Sequence, residues 1–455
     1  MSTLWSGGFA EEPDALLWAF TVDTADRRLI FDDLHGSWAH VGMLGEQGII
    51  TEDEAARLQA GILEIVAEAE AGDFVFLETD EDVHSATERR LIELVGEVGR
   101  KVHTGRSRND QIALDLRLYL ARSGSLQLQR LAALATVLVD QAERVGDVVV
   151  PSYTHLQQAQ AVPLAHHLLA YAEMLRRDAE RLQAAIYRVQ VSPLGAGASG
   201  GSSLPLDPAI SARLLGWSWH FTNSMDAVGS RDFVAEYVFV CAQSMVHLSR
   251  LSEEIVLWAT SEFGWVSFPD TFTTGSSAMP QKKNPDVAEL VRGRSAAVIG
   301  DLTAIMSLQK GLPLTYNRDL QEDKRIVFHA DDVLAGSLQT LAAMLATAVF
   351  SPPAPNPAVT ALDMAEVLVG RNVAFRTAHE AVGRLLRSLE EDGRTLKEAT
   401  AADLIGAHDK FEPGDLARLD PNASVEHRVS PGGGSYSEVV KQIKRLRSLL
   451  EDIRN

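Results

Sequence analysis

Apolar residues recur along most of the chain at the spacings of three, four and seven positions that are typical of amphipathic helices. In the segment from 164 to 188, Leu164, Leu168, Tyr171 and Leu175 follow this spacing. Proline interrupts helices, and none occurs inside this segment. Four further proline-free runs have the same pattern and predict long helices: 112–145, 232–262, 287–310 and 326–350.

The alternating β-branched pattern of strands is nearly absent. Several of the helical runs approach about 30 residues, well above the usual helix length of ~11 residues. The pattern therefore predicts an all-α fold built on a bundle of long helices. Some runs, such as "IVLWATSEFGWVSF", are apolar on more than one face, which indicates a bundle extended by oligomerisation. A thick monomeric bundle is the alternative.

Two changes in composition divide the chain. The segment "FSPPAPNPAV" at 350–359 contains four prolines and predicts a boundary before a smaller helical region. A second change lies near "VHTGRSRND", where the long helical runs begin. We therefore predict three mostly helical domains, 1–106, 107–358 and 359–455, of which the central one is the long bundle.

Charge and cysteine content restrict the class of partner. The chain has 42 Lys and Arg against 62 Asp and Glu, a formal charge of -20, which disfavours nucleic acids and anionic membranes. An anionic substrate can bind only where several basic side chains come together.

The single cysteine, Cys241, cannot form an internal disulfide. The amino terminus lacks the pattern of a secretory signal, and no apolar run reaches the ~18 residues of a membrane span, so we predict a cytoplasmic protein.

We predict neither a cofactor nor a metal ion. Gly195, Gly197 and Gly200 in "GAGASGG" match G-x-G-x-x-G, but they follow a long helix instead of a strand, so a loop between helices accounts for them. The histidine pairs His166/His167 and His35/His40 lack the spacing and the accompanying carboxylates of a zinc site.

Four polar segments interrupt the helical pattern with more hydrogen-bonding groups than a turn requires. Each alone could be a capped turn, but together they supply guanidinium, amide, hydroxyl, imidazole and ammonium groups. Arg106, Arg108, Lys282 and Lys283 can offset the negative field locally, which suits acid–base chemistry on a carboxylate substrate. The segments are "HTGRSRNDQ" (103–111), "SYTHLQQAQ" (152–160), "GSSAMPQKKNP" (275–285) and "YNRDLQEDK" (316–324).

These segments resemble the signatures of the fumarase/aspartase superfamily of lyases. Residues 275–285 match its flexible loop, G-S-S-x-M-P-x-K-x-N-P, at every fixed position. The full wording of the four segments is more closely similar to the argininosuccinate lyase family. Three further segments, "NSMDAVGSRDF", "FRTAHEAVG" and "SVEHRVSPGGG", share this similarity, which extends over nearly the whole chain.

The resemblance implies a reaction and roles for its residues. The family splits argininosuccinate reversibly into arginine and fumarate, as in arginine biosynthesis, by removing a proton next to a carboxylate and expelling nitrogen from the neighbouring carbon. By motif position Ser276 is the base, Lys282 stabilises the developing charge, and His155, paired with Glu289, takes part in proton transfer. The matching substrate-binding positions are Ser107, Arg108, Asn109, Thr154, Asn284, Tyr316, Gln321 and Lys324.

The resemblance also implies a homotetramer, in which the central domains form a helical core and each active site combines three subunits. The amino terminus departs from the family, because "LWSGGF" places Gly8 at the usual arginine and "FTVDTADRR" replaces F-N-x-S. Gln158 and Ala161 also replace an arginine and a proline. These changes leave two alternatives open, a related carbon–nitrogen lyase that releases fumarate from another N-substituted aspartate and a catalytically silent homologue.

Overall fold

The computed structural model describes residues 14–22 and 24–454, so the departure at Gly8 lies outside the described residues. The described chain is mostly helical, which confirms the predicted fold class. Its helices are α1 Ala15–Thr21, α2 Ile30–Glu46, α3 Glu52–Ala71, α4 Val83–Val95, α5 Arg108–Val145, α6 Leu164–Val189, α7 Pro208–Leu214, α8 Ser224–Gly229, α9 Asp232–Trp258, α10 Asp286–Gln309, α11 Asp323–Ala346, α12 Ala361–Gly370, α13 Phe375–Glu391, α14 Ala401–Ala407, α15 Pro421–Glu426 and α16 Tyr436–Arg454.

The long helices α5, α6, α9, α10 and α11 coincide with the predicted runs. The ends differ by up to four residues: α5 begins four residues before its predicted run, α11 ends four residues early, and α9 stops at Trp258 although the apolar pattern continues to 262. The Trp265 amide donates to the Trp258 carbonyl at 2.9 Å, and Gly264 supplies the positive φ (61°) of this reversal. Within the described part of the chain, no helix has both the length and the apolar composition of a membrane span.

Six short strands in the described part of the chain pair two by two. The hairpin of β1 Val149–Thr154 and β2 Gln157–Pro163 is antiparallel and contains the polar segment 152–160. The other pairs are β3 Val191–Ser192 with β4 Trp219–His220, which is parallel, and β5 Val266–Ser267 with β6 Val349–Phe350, which is antiparallel. The hairpin was not predicted from sequence, because its strands are too short and too polar to show an alternating apolar pattern.

The chain divides into two compact units, which the five long helices share. Unit 1 comprises residues 1–128, 180–243 and 295–335, and one of its cores packs Leu34, Leu58 and Ile62 of α2 and α3. Unit 2 comprises 129–179, 244–294 and 336–455, with a core of Leu368 and Leu385 from α12 and α13. The three-domain division at 106 and 358 stays a prediction.

Candidate active site

A pocket of about 170 Å³ in unit 1 brings together five of the eight predicted substrate-binding residues. The start of α5 and the turn before α11 supply them, so residues about 200 positions apart in sequence share one surface. The predicted residues that line the pocket are Arg108, Asn109, Tyr316, Gln321 and Lys324, and its other lining residues are Thr21, Asp26, Glu81, Asp82, His84, Ile112 and Arg318.

The start of α5 is held by a local capping arrangement. Ser107 Oγ accepts from the Asn109 amide at 3.2 Å, and the Ser107 amide donates to Asp110 Oδ1 at 2.9 Å. Asp110 Oδ2 also accepts from the Gly197 amide at 2.9 Å, while Asn109 Nδ2 donates to the Ala198 carbonyl at 3.0 Å. The glycine-rich segment is thus a loop that fixes the position of Asn109. Ser107 itself does not line the pocket and acts here as a cap.

Charged side chains of both signs meet in this pocket. Arg108 Nη1 lies 3.0 Å from Glu81 Oε2 and 2.9 Å from Asp82 Oδ2. Arg318 donates to the Thr21 carbonyl at 2.8 Å and lies 3.4 Å from Glu81 Oε1. A pocket with paired carboxylates and guanidinium groups suits a ligand that itself carries both carboxylate and cationic groups.

Sequence reasoning missed seven of these lining residues, namely Thr21, Asp26, Glu81, Asp82, His84, Ile112 and Arg318. Asp82 is also the N-cap of α4, where its carboxylate accepts from the Ser85 amide at 2.8 Å. An Asp before a helix is the ordinary capping signal, so nothing local distinguishes this one as a pocket residue. The departure at Phe20 matters here, because the following residue, Thr21, reaches the pocket through its carbonyl.

His84 adds a positive charge to the pocket. Burial favours the neutral imidazole, but the hydrogen bond from Nδ1 to Asp33 Oδ1, at 3.0 Å, outweighs it and raises the pKa of His84 to about 9. Asp33 also accepts from Thr87 Oγ1 at 2.6 Å and from Gln111 Nε2 at 2.5 Å. Asp33, His84 and the buried Asp115 have side-chain atoms of the kind that bind metal ions, and these atoms lie within 4.8 Å of one another. The ion pair between His84 and Asp33 explains why these side chains lie close together.

Asp26 is a buried carboxyl group in the pocket wall, 4% exposed, and its Oδ2 accepts from the Val83 amide at 3.3 Å. Burial raises the pKa of Asp26 to about 7, against the opposing attraction of His84. Because the native state favours the protonated form, ionising Asp26 destabilises the fold. That cost is absent below the unfolded pKa of about 4, grows as pH rises, and is complete above about 7.

We therefore expect Asp26→Asn to stabilise the protein at high pH. The amide keeps the shape of the side chain and removes the charge, so the melting temperature of the variant should exceed that of the wild type at pH 8. The difference corresponds to at most ~4 kcal/mol and should shrink steadily as the pH falls, vanishing only below about pH 4. Thermal unfolding followed by circular dichroism measures it. Asp73→Asn, at an exposed position, is the control and should show no such trend; a constant difference across the pH range would contradict the assignment.

In unit 2, Thr154 and His155 lie at the tip of the β1–β2 hairpin. Thr154 pairs with Gln157, so His155 and Leu156 form a two-residue turn, and both have positive φ, 55° and 57°. This is the pattern of a type I′ turn, which normally contains Asn and Gly. A residue with a β-carbon costs roughly 1–2 kcal/mol in this conformation. Strained backbone of this kind is concentrated at functional sites, and here it presents an exposed imidazole.

The segment that matches the superfamily loop is also in unit 2. Two backbone hydrogen bonds between Thr274 and Asn284, of 3.2 and 2.9 Å, close its base immediately before α10. Lys283 Nζ pairs with Asp270 Oδ1 at 2.6 Å, whereas the side chain of Lys282 is exposed. The two backbone hydrogen bonds therefore hold the base of the loop, and the loop carries Lys282 with its side chain in solvent.

Ser276 lies inside this loop, where two amides point at its hydroxyl oxygen. The Ala278 and Met279 amides donate to Ser276 Oγ at 3.3 and 3.2 Å. Such bonds are ordinary in serine turns, but the same donors would also stabilise an alkoxide. Among the described residues no hydrogen bond reaches Ser277 Oγ, so the two serines differ in environment.

Glu289 is exposed in the first turn of α10, and His155 is exposed at the hairpin tip. Within the described part of this chain the two side chains form no ion pair. Their predicted pairing therefore stays a prediction.

Comparison with known proteins identifies the class. Residues 7–300 match the family described as Lyase, and residues 358–426 match the family described as Argininosuccinate lyase C-terminal. A solved structure of an EDDS lyase variant with bound fumarate has a TM-score of 0.80 at 26% identity, over 96% of this chain and 89% of that chain. The 3-carboxy-cis,cis-muconate lactonizing enzyme from Pseudomonas putida shares the fold, with a TM-score of 0.74 at 21% identity over 97% and 100% of the two chains. The fold and the match together define a lyase of the fumarase/aspartase superfamily.

Full-length relatives narrow this class. Argininosuccinate lyase of Desulforudis audaxviator is 46% identical over 100% of both chains, and that of Nitratidesulfovibrio vulgaris is 46% identical over 99% of both. Argininosuccinate lyase of Bacillus cereus is 41% identical over 100% of this chain and 99% of its own. The chain belongs to the argininosuccinate lyase family of carbon–nitrogen lyases.

Proposed function

We propose that this protein catalyses the reversible β-elimination of argininosuccinate to arginine and fumarate, in arginine biosynthesis. The observation that carries the proposal is the unit 1 pocket, which combines five residues expected to bind substrate with acidic side chains. Argininosuccinate has carboxylates at one end and a guanidinium group near the other. Arg108 and Lys324 match the carboxylates, and Glu81 and Asp82 match the cationic part.

In the proposed mechanism Ser276, as the alkoxide, removes a proton from the carbon next to a carboxylate. The electron pair moves onto that carboxylate, and Lys282 stabilises the two negative charges that it then carries. The pair next forms the carbon–carbon double bond of fumarate as the bond to nitrogen breaks. His155, assisted by Glu289, delivers or positions the proton that the leaving nitrogen takes up. Thr154 and Asn284 contact the succinyl carboxylates, and no cofactor takes part in this scheme.

The test follows fumarate by its ultraviolet absorbance. Purified protein is incubated with argininosuccinate and, separately, with a panel of other N-substituted aspartates. We expect fumarate from argininosuccinate at the highest kcat/KM. Fumarate from another amine alone would identify the related carbon–nitrogen lyase, and no fumarate from any compound would leave the silent homologue.

We propose further that the protein is a cytoplasmic homotetramer, with active sites shared between subunits and with the three domains predicted from sequence. The exposed side of α10 supports an assembly, because apolar side chains and small residues make up most of it beyond Arg294. Leu290, Ile299 and Met306 are 55%, 45% and 59% exposed. Small exposed residues between them allow another helix to approach closely: Gly293, Ala296, Ala297, Gly300 and Ala304.

The assembly predicts a strong effect of one charge on α10. Ile299→Glu should dissociate the tetramer and remove activity together, because an isolated subunit lacks residues from its neighbours. Light scattering coupled to size exclusion measures the mass. Leu63→Glu on α3 is the matched control, because Leu63 is similarly exposed, at 58%, and should keep both mass and activity. A fully active monomer would contradict the shared site.

A further inference from the structure

A second pocket in unit 1, of about 300 Å³, shares no lining residue with the pocket described above. Its volume is at the lower end of the range for small-molecule sites. One wall comes from α5, another from the paired strands β3 and β4, and a third from α8. The lining residues are Arg117, Val191, Pro193, Trp219, His220, Phe221, Thr222, Asp226 and Ala227.

Arg117 is the unusual member of this set. It is 8% exposed and its guanidinium group lies over the Phe233 ring, 4.0 Å from the centroid. Nη1 donates to the Val189 carbonyl at 3.2 Å, whereas Nε has no hydrogen-bond partner and no carboxylate forms an ion pair with the group among the described residues. Burial lowers the pKa of Arg117 to about 10, against the attraction of Asp232 and Asp226. A buried guanidinium that no carboxylate contacts directly is costly, so an anion bound against it would stabilise it.

The opposite charge at the same pocket is Asp226, on α8. Its backbone amide is capped by Asn223, but its exposed carboxylate has no hydrogen bond or ion pair in the described part of the chain. Arg117 and Asp226 line one space without a direct ion pair between them, so the pocket presents a cationic and an anionic group that a ligand can contact separately. Another polar side chain here is His220, whose Nδ1 is hydrogen-bonded to the Phe221 carbonyl at 2.9 Å.

Aromatic rings supply the remaining recognition surface. Trp219 is 55% exposed although it belongs to a strand, and Phe221 is half-buried beside it. A large exposed aromatic ring at a pocket rim is a common platform for the flat or apolar part of a ligand.

We propose that this pocket binds a free α-amino acid with an aromatic or bulky apolar side chain. Its carboxylate pairs with Arg117, its ammonium group pairs with Asp226, and its side chain packs on Trp219 and Phe221. A simple anion would satisfy Arg117 but would meet Asp226 unfavourably, whereas a zwitterion satisfies both groups.

The experiment measures binding to the assembled protein by isothermal titration calorimetry. L-phenylalanine, L-tryptophan and L-leucine are the probes, because none is a substrate or a product of the proposed reaction and the result is independent of that reaction. 3-Phenylpropanoate lacks the ammonium group and 2-phenylethylamine lacks the carboxylate. We expect L-phenylalanine to bind at least tenfold more tightly than either analogue.

Variants locate the site. Asp226→Asn and Trp219→Ala change exposed side chains, so they should keep the fold and weaken L-phenylalanine binding at least tenfold; Arg117→Met should remove it. Arg213→Met, at an exposed residue of α7, is the control and should bind normally. Three results would overturn the proposal. Either analogue could bind as tightly as L-phenylalanine, the Asp226→Asn and Trp219→Ala variants could bind L-phenylalanine as tightly as the wild type, or none of the three amino acids could show saturable binding below about 10 mM.

Discussion

Replacing Ser276 by alanine is expected to lower kcat by ~10³-fold or more, while the oligomer and the melting temperature stay unchanged. The hydroxyl is the only group removed, and the two amides that donate to its oxygen remain in place. If Ser276 is the base, its loss removes the proton acceptor from the first chemical step. Binding of a non-reacting dicarboxylate should change little, so the loss should fall on kcat more than on KM.

Ser277→Ala is the matched control for this experiment. The neighbouring serine is exposed in the same loop and has no hydrogen bond to its hydroxyl oxygen in the described chain. Its removal should leave kcat within a few-fold of the wild type. Loss of activity in both variants would indicate that the loop as a whole had moved, and full activity of Ser276→Ala would refute its assignment as the base.

The largest expected effect on stability follows from replacing Arg231 by methionine. Arg231 is 1% exposed, and its Nε donates to Asp323 Oδ2 at 2.6 Å. Asp323 is fully buried, so the substitution leaves a carboxylate without its main partner. Removing one partner of a buried ion pair costs about 3–5 kcal/mol, which corresponds to a melting temperature lower by on the order of 10 °C.

Two further variants separate this explanation from a simple loss of packing. Arg213→Met removes an exposed arginine that pairs with Glu46, and such surface pairs contribute at most about 1 kcal/mol. Arg231→Met combined with Asp323→Asn removes the buried charge as well and should recover part of the lost stability. If the double variant melts below the single one, the unpaired carboxylate is not the cause.

Much of the fold could be predicted from sequence, because helical periodicity is a local signal. The apolar spacing of 287–310 anticipates α10 to within a residue at each end, and "GSSAMPQKKNP" marks the loop before it. The α9 run was too long by four residues, because the reversal at Gly264 depends on a backbone contact between Trp265 and Trp258.

The candidate site was predicted less completely. Motif positions named Arg108, Tyr316 and Lys324, which line one pocket, but they gave no sign of Asp26 or Glu81 in the same wall. An acidic residue near a helix start looks the same in sequence whether it caps the helix, faces solvent or faces a ligand. Only packing distinguishes these cases, because the electrostatic role of a side chain depends on what surrounds it.

The sequence by itself determined the mostly helical fold, the long runs that become α5, α6, α9, α10 and α11, and the loop serine and lysine of the superfamily motif. Periodicity and motif are both contained in consecutive residues, so they can be recognised without the fold. The tertiary structure alone decided that Arg231 pairs with Asp323, that His155 lies in a left-handed turn, and that Arg117 is buried with its Nε unbonded. Each of these depends on how segments that are far apart in sequence pack against one another and exclude water. No local sequence pattern indicates that packing.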